Sequence, residues 1–133
     1  MDLLYRLART APGRFLIRLL FTRMTFALPV SRLRETETLL AFWHPKPAHA
    51  FHVVLTPKRP AASLAELDPA DSAFLTDLMS AVQSLVREYK LEEGGYRLIV
   101  NGGQYQDFPH LHFHLISDKG PRTNDQRRMT KDE

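Results

Sequence analysis

Apolar and polar positions along this chain follow two periods, and the change from one to the other marks the elements. Ser31 to Glu35 and Thr38 to Trp43 read as two short strands around a polar Glu-Thr-Glu turn, and Leu28-Pro29-Val30 closes whatever precedes them. Pro45 and Pro47 punctuate a loop. Phe51 to Thr56 (Phe-His-Val-Val-Leu-Thr) is β-branched and apolar on both faces, a strand buried on two sides, and Pro57-Lys58-Arg59-Pro60 stops it. The period then lengthens. Phe74, Leu75, Leu78, Val82, Leu85, Val86 and Tyr89 recur at three- and four-residue spacing, which predicts a helix with one stripe facing a sheet. Asp68 suits its N-cap and Pro69 its first turn, where the missing N–H costs nothing. Gly94-Gly95 closes this region, Tyr96 to Val100 is a strand, Asn101-Gly102-Gly103 a turn, and His110 to Ile116 a last strand. The order implies an α+β fold: a mainly antiparallel sheet covered on one face by a helix.

Before this body lies a different segment. Residues 14–28 are strongly apolar but interrupted by Arg14, Arg18 and Arg23. A spanning helix needs about 20 predominantly apolar residues, and a mid-span arginine costs about 2.5–3.5 kcal/mol, so a transmembrane helix is disfavoured. A secretory signal fits poorly, because charge breaks the apolar run and no small-x-small site follows. A basic amphipathic helical arm over residues 1–27 is expected. It either packs Phe15, Leu16, Leu19, Leu20 and Phe26 on the domain or a second subunit, lies on an anionic membrane surface through residues 14–28, or serves as a transit segment. The domain proper is expected over 28–117, followed by a polar, disordered tail over 118–133.

Charge and composition narrow the function. The chain of 133 residues carries +3, but residues 1–34 hold seven arginines against Asp2 alone, so the remainder is mildly acidic. A nucleic-acid partner is not indicated for the body. The absence of cysteine removes disulfides, thiolate zinc sites and cysteine nucleophiles, and fits a reducing, cytoplasmic setting.

All six histidines fall in two windows: His44, His49 and His52, and His110, His112 and His114. In His110-Leu111-His112-Phe113-His114-Leu115-Ile116 the alternation is complete. On a strand, alternate side chains share a face about 6.5–7 Å apart. Three imidazoles in a row add little to a core and need partners or a ligand. Two chemistries use such a row. Neutral imidazoles at His-x-His spacing suit zinc, copper or nickel, with Asp107 and His52 available to complete the set. Alternatively, one imidazole attacks phosphorus while its neighbours fix its tautomer and neutralise oxygen charge.

The segment His110 to Ile116 resembles the His-φ-His-φ-His-φ-φ signature of the histidine triad (HIT) superfamily. Leu28-Pro29 through Leu40-Ala41-Phe42, then Pro47, His52, Pro57-Lys58, Gly95-Tyr96-Arg97 and Val100-Asn101, keep the order found in its Hint-like branch. The resemblance spans about two-thirds of the chain, residues 28–117. It implies a HIT-like fold with a five-stranded sheet, a homodimer, and nucleoside monophosphate or a nucleoside phosphate conjugate as ligand. It implies His112 as the nucleophile forming a nucleotidyl-histidine, His114 on the phosphate oxygens, and His110 and His52 bonding through backbone and each other to set the tautomer of His112. Asn101 matches an asparagine near the phosphate. No metal or other cofactor is required by that chemistry.

Two departures bear on substrate. The branch places an aspartate on the ribose hydroxyls where this chain has Trp43-His44, and an imidazole accepts at most one hydroxyl proton. Trp43 is expected either to stack on a base or to join the core. The branch's leaving-group donor position is Asp107 here, with Gln104 or Gln106 able to supply the missing donor. The expected activity is hydrolysis or transfer of a nucleoside phosphoramidate or similar α-phosphate conjugate. The alternatives are a nucleotide-binding module with weak or no turnover, and a histidine-based metal-binding protein.

Overall fold

The computed structural model describes residues 30–118; the expected N-terminal helical arm and the tail beyond Asp118 lie outside the described residues. Five strands form one sheet: β1 (Arg32–Glu35), β2 (Leu39–Trp43), β3 (Phe51–Pro57), β4 (Arg97–Val100) and β5 (Phe113–Ser117). Their order is β1-β2-β3-β5-β4, and every neighbouring pair is antiparallel. The long helix α1 (Ser72–Glu88) and the single turn α2 (Leu91–Gly94) separate β3 from β4. The α+β, five-stranded expectation therefore holds.

The period-two patterning decides which face is which. Leu39, Ala41 and Trp43 of β2, Phe51, Val53 and Leu55 of β3, and Phe113 and Leu115 of β5 point toward α1. They meet Phe74, Leu78, Val82, Leu85 and Val86 there, the apolar stripe read from the sequence. The intervening positions point the other way. Leu40, Phe42 and Val54 form a second apolar cluster with Val30 on that face, and His52 and His114 share it by alternation.

Two boundaries differ from the sequence expectation. Asp71, not Asp68, caps α1, accepting from the Phe74 N–H at 3.2 Å. Asp68 instead folds the preceding residues into a turn, taking the Ala70 N–H on its carboxylate at 2.9 Å and the Asp71 N–H on its carbonyl at 3.0 Å. Pro69 thus lies in that turn and outside the helix. The last strand starts at Phe113 and not at His110. Leu111 is held outside the ladder: its N–H donates to Ala61 O at 2.8 Å, and its carbonyl accepts from the Thr56 hydroxyl at 2.7 Å. Satisfied in this way, the backbone at 110–112 is free to leave the ladder.

α1 is laced to the β1–β2 hairpin. Asp77 receives the hydroxyls of Thr36 and Thr38 at 2.8 and 2.6 Å, and Arg34 reaches Ser84 and Glu88 at 3.1 and 2.6 Å. At the far end, Gly95 sits at φ +90, a backbone region that only glycine adopts at low cost, and returns the chain into β4. No helix among the described residues is long and apolar enough to cross a membrane.

Candidate active site

The site is built on the β3–β5 pair, where Val54 stands opposite His114 and His52 opposite Ile116. Because these strands are the two central neighbours of the sheet's second half, their backbones are fixed on both sides. The imidazoles of His112 and His114 lie 4.9 Å apart, those of His114 and His52 5.1 Å, and His44 stacks on His52 at 4.3 Å. With the His49 ring 5.4 Å from that of His52, five of the six histidines form one continuous cluster.

Hydrogen-bond partners fix each tautomer. A carbonyl only accepts, so His112 Nδ1 carries the proton it donates to His110 O at 2.7 Å. The lone pair of His112 is therefore on Nε2. The same reasoning puts a proton on His110 Nε2, which donates to Pro57 O at 2.9 Å from a side chain only 1% exposed. The backbone N–H of Ala48 donates to His52 Nδ1 at 3.1 Å, which leaves the His52 proton on Nε2. That proton goes to His114 Nδ1 at 2.9 Å, and so His114 presents Nε2–H to the site. One backbone amide thus sets two imidazoles in sequence. His52 serves His114, and the carbonyl of His110 serves His112.

The electrostatics support neutral rings. Burial, then the neighbouring imidazoles His44, His114 and His49, push the His52 pKa down to about 3. Burial, then His112 and His44, take His114 to about 4, against a raising effect of Asp107. His44 is lowered too, by burial first and then by His112. With desolvation opposing the charged form, these groups stay neutral donors and acceptors near pH 7.

The remaining expected site residues divide. His44 joins the cluster, but its Nδ1 already accepts the Lys46 N–H at 3.0 Å, so only its Nε2–H faces outward partners. It can donate to a hydroxyl and accept from none. Trp43 does not reach the site. It is 2% exposed on the helix side of the sheet, edge-on to Phe51 at 5.1 Å and Tyr89 at 5.5 Å, because adjacent strand residues face opposite ways. Base stacking by Trp43 is excluded by that burial. Gln106 is a loop staple, its amide donating to Ala62 O at 2.6 Å and Phe108 O at 2.9 Å, so both its protons are engaged within the protein. Gln104 is exposed in the short helical turn Gly103–Tyr105, and Asn101 is half-buried just after β4. Asp107 reaches the triad, its Oδ1 3.9 Å from His112 Nε2.

Sequence reading left out the Ala48 N–H and the carbonyls of His110 and Pro57, since backbone groups carry no residue signature. His49 also comes to the cluster: its ring packs 5.4 Å from His52 and its Nδ1 lies 3.3 Å from Asp118. Among the described residues, no group of three or more His, Asp or Glu is arranged to hold a metal ion.

A five-stranded antiparallel sheet with one covering helix, carrying His-x-His-x-His where the last strand begins, defines the histidine triad class. The HIT domain family profile matches residues 26–120, and the chain belongs to that family. It is 33% identical over 104 residues to the adenosine 5′-monophosphoramidase HNT1 of Candida albicans, an alignment covering 72% of this chain and 66% of that protein. The solved HIT family hydrolase of Legionella pneumophila superposes with a TM-score of 0.68 at 26% identity, covering 76% of this chain and 92% of the other. The histidine triad nucleotide-binding protein of Candida albicans superposes with a TM-score of 0.65, also at 26% identity, covering 80% and 78%.

Proposed function

We propose that this protein hydrolyses nucleoside 5′-phosphoramidates, or closely related α-phosphate conjugates, through a nucleotidyl intermediate on His112. The observation that carries the reading is the bond from His112 Nδ1 to His110 O, which frees the Nε2 lone pair beside the His114 Nε2–H. Similarity to an adenosine 5′-monophosphoramidase supports the substrate class. In the first half-reaction Nε2 bonds to phosphorus and the P–N bond breaks. Its electron pair stays on the amine nitrogen, which takes a proton from water as it leaves. In the second, water attacks phosphorus, its proton passes to solvent, and His112 departs with its lone pair restored. His114 Nε2–H meets charge developing on a phosphate oxygen, a fixed donor that needs no reorganisation during the reaction. Asn101 follows Val100, the partner of Phe113 across the ladder, which supports it and the Gly102-Gly103 backbone as the phosphate contacts in this reading. The reading includes a homodimer, in which the edge strand β4 would be covered; light scattering at micromolar concentration tests it.

Turnover of adenosine and guanosine 5′-phosphoramidates, measured with chelator present, tests the mechanism. Wild type is expected to release nucleoside monophosphate and amine, and His112→Ala to lose at least about a thousandfold in kcat, the scale set by removing a nucleophile. Equal turnover by the variant would refute the reading. A second reading, a module that binds nucleotide with little turnover, is favoured by Asp107 facing the His112 lone pair and by His44 in place of a carboxylate. Nucleoside monophosphate binding without turnover would establish it.

A further inference from the structure

Asp107 stands 3.9 Å from the attacking nitrogen, yet its side chain is 74% exposed where that of His112 is 11% exposed. It therefore lies on the solvent side of His112. Its position is built. The Gln106 amide ties the backbone before it to Ala62 O and the backbone after it to Phe108 O, and the Phe108 ring stands edge-on to His112 at 6.1 Å. Among the described residues, His112 is the one basic side chain whose nitrogen lies within 4.0 Å of its carboxylate. Its negative charge is felt across the site, opposing the lowered pKa of both His44 and His114.

A carboxylate at that place repels the oxygens of any α-phosphate. The repulsion is offset only when the substrate itself brings a cation to the same place. In-line attack by Nε2 puts the leaving group on the side of phosphorus away from the buried ring, in the exposed zone that the Asp107 carboxylate also occupies. From this geometry we propose that Asp107 selects the leaving group: the site takes nucleoside phosphoramidates whose departing amine carries a positive charge, and discriminates against anionic leaving groups. The inference rests on His112 as nucleophile, and its test separates the two.

Three adenosine 5′-phosphoramidates of matched length serve as probes, made from 1,4-diaminobutane (cationic end), n-butylamine (neutral) and 4-aminobutyrate (anionic). For the full chain at low ionic strength, kcat/KM should fall in that order by about tenfold per step, and the steps should shrink in 0.5 M salt as the charges are screened. In Asp107→Asn the three should converge to within about threefold. Should that variant fail to fold, Asp107→Ser carries the same comparison. Turnover of all three by wild type without this order would overturn the assignment, as would an order that survives salt or persists in both variants. No turnover of any of the three would overturn the nucleophile reading, and the leaving-group assignment with it.

Discussion

At the scale of single residues, the site depends on where two protons sit. His112 is an acceptor at Nε2 because its own chain, two residues back, takes the Nδ1 proton. His114 is a donor at Nε2 because His52 fills its Nδ1, and His52 does so because Ala48 N–H fills the other end of that ring. His52 is therefore a positioning residue acting through His114. His52→Ala frees His114 to take either tautomer and should lower kcat by about 10–100-fold with little change in KM, the usual scale for losing an orienting partner. Nitrogen chemical shifts of His114 provide the readout that a merely structural role would leave unchanged: a single Nε2–H form in the wild type, and a tautomer mixture in the variant. Trp43 teaches the opposite lesson. Its neighbour His44 lies in the cluster while Trp43 packs with Phe51 and Tyr89, so one residue of register separates site from core.

At the scale of elements, β3 and β5 hold the histidines while α1 holds β3 and β5. Leu85 is completely buried in the layer between helix and sheet. Leu85→Ala should cost about 2–5 kcal/mol in chemical denaturation, and should reduce activity only by lowering the folded fraction. The capping assignment has its own test. Asp71→Ala removes the acceptor of the Phe74 N–H and should cost about 1 kcal/mol, whereas Asp68→Ala touches only the turn before the helix and should cost less. The helix itself was legible in the sequence, from an apolar stripe five residues of which are buried: Phe74, Leu78, Val82, Leu85 and Val86. Its exact start was not, because Asp68 and Asp71 are equally good caps in isolation. Only the turn that Asp68 closes assigns them.

At the scale of the whole molecule, the imidazole cluster links stability to pH. His52 and His114 have folded-state pKa values of about 3 and about 4, below the ordinary 6.5. Between those values and about 6.5 the unfolded chain binds protons that the folded chain refuses, so stability must fall as pH falls through that window. Urea midpoints measured at pH 7.5, 6, 5 and 4.5 should decline steadily below about pH 6.5. In His52→Gln, which cannot titrate, the decline should be shallower. A midpoint independent of pH down to 4.5 would contradict the neutral, desolvated state assigned to these rings.

The sequence by itself determined the elements, the sheet's two faces, the class of fold and the row of three histidines. Each of these follows from local periodicity: two residues per repeat in a strand, 3.6 in a helix, and a motif contained in seven consecutive positions. Tertiary structure alone decided which nitrogen of each imidazole carries the proton, because those protons answer to His110 O, Pro57 O and Ala48 N–H, backbone atoms that any residue would supply. It also decided that Asp107 approaches His112 and that Gln106 does not serve the site, since a loop's side chains are aimed by contacts distant in sequence. Periodicity is a property of neighbours along the chain, whereas tautomers and charge environments are properties of neighbours in space.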